Sequence, residues 1–175
     1  MRWFWLDRFT EFTAGTRATA VKCVSLSEDY LHNHWDNYPV MPNTLIAEGM
    51  AQAAGLLVSE AYQFNELVVL AKFSKCTFDG EVRPGDTLTY RARIEQIKDA
   101  GAAASVTADV GERRHAEAEI FFARLDATAA NRPADMRLFD PVDLYRWLRV
   151  VGVFDIGTRP DGSRLRPEEY GFTRQ

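Results

Sequence analysis

The spacing of apolar residues changes along the chain. Apolar side chains surround the segment Leu45–Tyr62 on nearly all sides, which is typical of a helix enclosed by other elements. Asn43 or Thr44 can cap the start of this helix. A strand–turn–strand unit is predicted to end near Val24. Four later segments alternate with period two and predict antiparallel strands: Leu67–Phe78, Thr87–Ile97, Ala102–Val110 and Arg113–Leu125. The pattern therefore predicts an α+β domain, with one long helix packed on an antiparallel sheet.

The composition changes after Leu125. The segment 126–175 contains eight arginines, eight acidic residues and no lysine. Asp140 followed by Pro141 is a favourable helix start, and apolar residues at helical spacing follow it. We therefore expect a main domain over residues 1–125 and a C-terminal extension over 126–175. The extension should contain one helix, at about 141–151, that docks on the core or on a partner subunit.

Composition and charge exclude several classes of protein. The chain has 175 residues, 46% of them hydrophobic, which is enough for a core without disulfides. The net charge is −4 and no basic run occurs, so nucleic acid is not an expected partner. Cys23 and Cys76 lie far apart, which favours a reducing, cytoplasmic location. The most apolar stretch carries Glu48 and Glu60, so we expect no membrane span.

Two side chains that can move protons stand close together in the sequence. His34 lies in a proline-containing loop, and Glu48 lies near the start of the predicted helix. Histidine exchanges a proton near neutral pH, and a carboxyl in apolar surroundings favours its neutral form and can act as an acid. The helix start adds backbone N–H groups suited to an oxyanion. These are the parts needed to abstract a proton next to a carbonyl and expel a β-hydroxyl. From the residues alone, a purely structural role for both side chains is also open.

The other two histidines suggest little chemistry. His32 and His34 have the spacing of metal ligands on a strand, but no nearby cysteine joins them. His115 falls on the face of its predicted strand opposite to the apolar one. We therefore expect no metal site and no cofactor.

The segment from His34 to Gln52 carries a longer motif. It resembles the active-site motif of the 3-hydroxyacyl-(acyl carrier protein) dehydratases of the FabA/FabZ type, which runs H-F-x-G-x-P-V-M-P-G before a hydrophobic turn, Glu or Asp, and A-M-x-Q. The positions in register are His34, Pro39, Val40, Met41, Pro42, Leu45, Glu48, Met50 and Gln52. The similarity extends over roughly residues 3–125. Glutamate rather than aspartate at position 48 is closer to the FabZ branch.

The resemblance implies a hotdog fold, with the sheet wrapped around the Leu45–Tyr62 helix, and a homodimer or a trimer of dimers. It implies that His34 removes the α-proton of a 3-hydroxyacyl thioester and that Glu48 of the other subunit protonates the departing hydroxyl. The backbone N–H of Asn43 would bind the thioester carbonyl. The implied substrate is carried on acyl carrier protein, in fatty-acid or related lipid synthesis. Acyl chain length, coenzyme A as the carrier, and the pathway stay open.

The chain departs from the family pattern at a few positions. Trp35 replaces phenylalanine, Asn43 replaces glycine, and 36–38 replaces a smaller stretch. Two other functions are compatible with the same fold. A thioesterase would use Glu48 to activate water and would not need His34. A non-catalytic binding or assembly protein would have a site closed by Asn43.

Overall fold

The computed structural model describes residues 4–125 and 140–172. Six antiparallel strands form one sheet in the order β1-β2-β4-β5-β6-β3. The strands are β1 (Arg8–Thr13), β2 (Arg17–Cys23), β3 (Leu67–Phe78), β4 (Thr87–Lys98), β5 (Gly101–Val110) and β6 (Arg113–Leu125). The helices are α1 (Tyr30–Asn33), α2 (Asn43–Ala61), α3 (Pro141–Val150) and α4 (Val153–Ile156), with a 3-10 helix at Pro167–Tyr170. Helix α2 contacts five of the strands, so the prediction of an α+β hotdog fold is confirmed.

Helix α2 is buried because apolar residues cover most of its circumference. Ile46, Met50 and Leu57 are fully buried against the sheet. Gly49 permits a close approach to β4, since a Cβ atom there would lie 2.5 Å from the hydroxyl oxygen of Tyr90. The helix begins at Asn43, with Pro42 in the N-cap position and no side-chain cap. The prediction that Asn43 or Thr44 caps the helix was wrong, because both residues lie inside its first turn.

The described part of the C-terminal extension packs on the main domain. The side chain of Asp140 caps α3 by accepting a hydrogen bond from the backbone N–H of Val142, at 2.8 Å. The Phe9 N–H donates to the carbonyl of Val151, and Thr158 exchanges backbone hydrogen bonds with Phe12 and Ala14. These bonds cover the outer edge of β1. Residues 126–139 of the predicted extension lie outside the described residues, and the predicted division at 125/126 stays a prediction.

His115 of β6 is buried, although the alternating pattern of this strand predicts that it lies on the face opposite the apolar residues. Ala108 pairs with Ala116 and Asp109 pairs with Arg114, so His115 has no partner on β5. This β-bulge breaks the alternation of side chains, and His115 is 1% exposed. The expectation that His115 lies on the face opposite the apolar residues was wrong, because period-two patterning does not reveal a bulge.

Among the described helices, none has both the length and the apolar character needed to cross a membrane.

Candidate active site

The loop that carries His34 is held by contacts with the segment before β4. The backbone N–H of Met41 donates to the carbonyl of Val82 at 2.8 Å, and the Met41 side chain is buried. The Tyr38 hydroxyl lies 2.8 Å from each carboxylate oxygen of Glu81. Arg83 also binds Glu81, and together with Tyr38 it lowers the pKa of that carboxyl below its ordinary value. These contacts position the loop between α1 and α2.

His34 follows directly after α1 and is exposed in the single chain. Its ring packs edge-on against the ring of Trp35, with centroids 5.1 Å apart. The Trp35 side chain is 58% exposed, so an aromatic wall beside His34 faces solvent. A catalytic base needs access to its substrate, and this position provides it.

The backbone of the loop turns at Asn37, which has a φ of 56°. This is the left-handed region, which glycine adopts freely and asparagine tolerates better than most residues. Asn37 occupies the position of the first glycine in the family motif. Asn43, at the second glycine position, is the first residue of α2 and needs no left-handed backbone. Its N–H lies in the first helical turn, where backbone N–H groups lack an intrahelical acceptor.

Glu48 lies on the second turn of α2 and is held by a hydrogen bond from Gln52. The Gln52 amide nitrogen donates to a carboxylate oxygen of Glu48 at 2.9 Å. The amide oxygen of Gln52 accepts a hydrogen bond from the backbone N–H of Trp5, also at 2.9 Å. The segment before β1 therefore orients Gln52, and Gln52 orients Glu48. Gln52 is part of the sequence motif, and its spacing of four residues from Glu48 on a helix is the signal that could have predicted this contact.

An apolar cavity of about 230 Å³ lies beside Glu48. Its polar lining comes from Glu48, Gln52 and Ser59 of α2. Its apolar lining includes Leu56, Val68, Leu70, Phe122 and Trp147. A carboxylate next to an apolar cavity suits a ligand with a polar end and a hydrocarbon chain.

The structure differs from the expectation that Glu48 is enclosed by apolar residues. Glu48 is exposed in the single chain, whereas Glu60, near the end of the same helix, is 3% exposed. Glu60 accepts hydrogen bonds from the Gly15 N–H at 2.8 Å and from the Tyr170 hydroxyl at 2.7 Å. The two carboxylates therefore differ in kind, since Glu60 is bonded within the fold while Glu48 faces an open cavity.

The single chain does not join His34 to Glu48. Within residues 4–125 and 140–172, neither a hydrogen bond nor an ion pair links the two side chains. If both side chains act on one substrate, they must converge on it. In the single chain each of them is open to solvent instead.

The described residues contain no cluster of three or more side chains suited to holding a metal ion. His32, which has metal-ligand spacing to His34, instead places its Nε2 atom 2.6 Å from the carbonyl oxygen of Leu26.

The family model of the FabA-like domain matches residues 3–119. A 3-hydroxyacyl-[acyl-carrier-protein] dehydratase FabZ from Macrococcus caseolyticus is 37% identical over 123 residues, covering 69% of this chain and 84% of that protein. The FabZ dehydratase of the same description from Caldanaerobacter subterraneus is 37% identical over 118 residues, covering 67% and 84%. The structure of a Streptococcus mutans protein bound to acetyl CoA is similar with a TM-score of 0.59 and 17% identity, covering 71% of this chain and 93% of that chain.

The sheet wrapped around a single helix, with an acidic residue of that helix at an apolar cavity, places the molecule in the hotdog class. The match to the family model and the sequence identity to the relatives identify the family as well as the fold. The chain belongs to the FabA-like family.

Proposed function

We propose that this protein dehydrates 3-hydroxyacyl thioesters to trans-2-enoyl thioesters, and that His34 and Glu48 are its acid–base pair. The observation that carries the proposal is the position of Glu48, hydrogen-bonded by Gln52 at the side of an apolar cavity. The relatives described above, which are named as 3-hydroxyacyl-[acyl-carrier-protein] dehydratases, support the same reaction. The activity is that of a hydro-lyase in fatty-acid synthesis.

The reaction is an elimination with a balanced transfer of protons. His34 takes the proton from the α-carbon, and the electron pair of that C–H bond forms the new double bond between the α- and β-carbons. The bond from the β-carbon to the hydroxyl oxygen breaks as Glu48 donates a proton, so the oxygen leaves as water. The Asn43 N–H, in the first turn of α2, stabilises negative charge that develops on the thioester oxygen.

The acyl chain is proposed to lie in the cavity beside Glu48. The side chains of Leu56, Val68 and Phe122 offer apolar surface, while Glu48 and Gln52 provide the polar groups. This arrangement places the β-hydroxyl near the carboxyl and the hydrocarbon away from water. Acyl carrier protein is the proposed carrier, and the cytoplasm is the proposed location.

A homodimer through β3 is proposed to complete the site. β3 pairs with β6 on one side, and its other edge has no partner among the described residues. The opposite edge of the sheet, β1, is covered by backbone hydrogen bonds to Val151 and Thr158. β3 has no buried residue in the single chain, although eight of its twelve residues are hydrophobic. An edge strand of twelve residues, rich in apolar side chains and without a partner among the described residues, favours pairing with a second copy.

The proposal is tested by following enoyl formation from 3-hydroxyacyl thioesters on acyl carrier protein and on coenzyme A. We expect turnover in the wild type and a loss of at least about a hundredfold in His34→Ala and in Glu48→Gln. His32→Ala serves as the matched control, since His32 lies two residues away and binds a backbone carbonyl. Circular dichroism confirms that each variant is folded.

Two results would contradict the proposal. Thiol release without enoyl formation, retained in His34→Ala, would indicate a thioesterase. A folded wild type that turns over neither carrier would refute the catalytic role, and Asn43→Gly would then show whether the asparagine closes the site.

A further inference from the structure

We propose that Trp147, from the C-terminal extension, is a wall of the acyl cavity and sets the length of acyl chain that the protein accepts. The inference rests on the proposed function, because it assigns the cavity beside Glu48 to an acyl chain. Trp147 lies outside the segment 3–119 that matches the FabA-like domain. The chain length would therefore be determined by a part of this protein that the family match does not include.

The position of the indole supports this assignment. Trp147 lines the same cavity as Glu48 and Gln52 of α2, Val68 and Leu70 of β3, and Phe122 of β6. It is the lining residue contributed by α3, and it is 7% exposed. One side of the cavity is thus formed by an aromatic ring from a different segment of the chain.

Contacts around Trp147 keep the ring in place. The Phe4 ring stacks on it with centroids 4.8 Å apart and planes inclined by 29°. The neighbouring side chain on α3, Leu148, is fully buried. The next turn is tied to β1 by the hydrogen bond from the Phe9 N–H to the Val151 carbonyl. The indole is therefore a rigid wall, and rigid walls limit ligand size more strictly than mobile ones.

The cavity volume gives an order-of-magnitude guide to the length of acyl chain that fits. An apolar cavity of about 150 Å³ accommodates benzene, so by proportion one of about 230 Å³ takes roughly nine carbon atoms. Replacing the indole by a methyl group would enlarge the cavity on the side of the extension. Longer acyl chains would then bury further methylene groups, and each buried methylene strengthens binding by roughly fourfold.

The experiment measures binding, beside the assay of dehydration described above. The probes are 3-hydroxyacyl pantetheine amides of four to fourteen carbons, which cannot be hydrolysed as thioesters, with affinity measured by calorimetry on the full chain. In the wild type we expect affinity to rise with chain length and then to level off near nine carbons. In Trp147→Ala the affinity for the fourteen-carbon probe, relative to the eight-carbon probe, should rise at least about tenfold. Trp147→Leu keeps more of the packing and should shift the same ratio less.

Leu148→Ala is the matched control. It also shortens a buried side chain of α3, but Leu148 does not line the cavity. If Trp147→Ala changed the affinity ratio only by loosening the extension, Leu148→Ala would change that ratio in the same way. That result would overturn the inference. An unchanged ratio in folded Trp147→Ala and Trp147→Leu would overturn it as well. Length-dependent binding that shifts in Trp147→Ala, with no dehydration by the wild type, would refute the proposed function and support the assignment of Trp147.

Discussion

At the scale of single residues, the buried ionisable side chains and the proposed catalytic ones form separate groups. Lys22, Glu60, Asp109 and His115 are buried, and none of them lines the cavity. His34 and Glu48 are exposed in the single chain. Buried charges here have partners, as in the pairing of Lys22 with Glu28 at 2.8 Å. The buried ionisable residues therefore lie apart from the candidate site, whose two proton-exchanging side chains are open to solvent.

His115 is the buried residue that should make stability depend on pH. Neither ring nitrogen has a hydrogen-bond partner among the described residues, and burial lowers the pKa of the ring below its ordinary value of 6.5. The unfolded chain then binds a proton that the folded chain does not, so the stability present above pH 6.5 is lost as the pH falls further. The limiting slope for one proton is about 1.4 kcal/mol per pH unit.

We expect His115→Leu to reduce this acid sensitivity. The measurement is the free energy of unfolding in urea between pH 7 and pH 5, for the wild type and the variant. His32→Gln, at an exposed histidine, is the control and should follow the wild type. Parallel curves for the wild type and His115→Leu would show that His115 is not the group responsible.

The motif predicts which residues form the candidate site, but it does not predict the backbone angles of the loop. The spacing of His34 and Glu48 identified both candidate residues, because motif spacing is a local property of the chain. The motif could not show that the left-handed turn falls at Asn37 while Asn43 is helical, since backbone angles depend on how the loop is anchored at Glu81 and Val82.

At the scale of elements, the main domain and the extension are joined by a buried hydrogen bond. The Tyr170 hydroxyl donates to Glu60, 110 residues away in the chain, at 2.7 Å. Burial, together with the Glu60 carboxylate, raises the pKa of Tyr170. The rings of Phe64 and Phe154 pack against the Tyr170 ring, and the Phe172 ring packs against Phe64. The C-terminal end of α2 is therefore held by the extension, while its N-terminal end carries the proposed site.

Removing this hydrogen bond should destabilise the fold without altering the site. We expect Tyr170→Phe to lower the free energy of unfolding by about 1–3 kcal/mol, because the buried Glu60 carboxylate loses one of its donors. Thermal or urea unfolding measures the change. Tyr145→Phe is the control, since the Tyr145 ring packs against Phe154 and Phe172 while its hydroxyl has no hydrogen-bond partner in the described ranges. An equal loss in both variants would show that ring packing, rather than the hydrogen bond, is responsible.

At the scale of elements the sequence was a good guide to the strands. The segments predicted at Leu67–Phe78 and Arg113–Leu125 are strands with those bounds. A helix over Pro141–Val150 lies where the sequence predicts one at about 141–151. Alternation and capping residues are local signals, so they survive in any tertiary context. The surface on which α3 docks is not local, and no pattern in the sequence predicted that Trp147 would line a cavity with Glu48.

At the scale of the whole molecule, a single chain presents two halves of a site. His34 and Glu48 are both exposed and are not joined, and the edge of β3 is open. A two-fold dimer repeats each half, so a base from one subunit can meet an acid from the other. In the proposed dimer we therefore expect pairing of the subunits to be required for activity and not only for stability.

Mixing two inactive variants tests this arrangement. Chains carrying His34→Ala and chains carrying Glu48→Gln are unfolded together and refolded as a mixture. If each site takes His34 from one subunit and Glu48 from the other, each mixed dimer contains one intact site, and about one quarter of the wild-type activity should return. If both residues come from the same subunit, no mixed dimer contains an intact site and the mixture stays inactive. Sedimentation confirms that dimers re-form.

The amino-acid sequence alone predicted the α+β class, the six strands, helices α2 and α3, and the two candidate catalytic residues, because periodicity and motif spacing depend on near neighbours in the chain. The folded structure was needed to show that Glu60 rather than Glu48 is buried, that His115 turns inward at a β-bulge, and that Trp147 lines the cavity. Each of these depends on contacts between segments far apart in the sequence, where packing and burial override the local pattern.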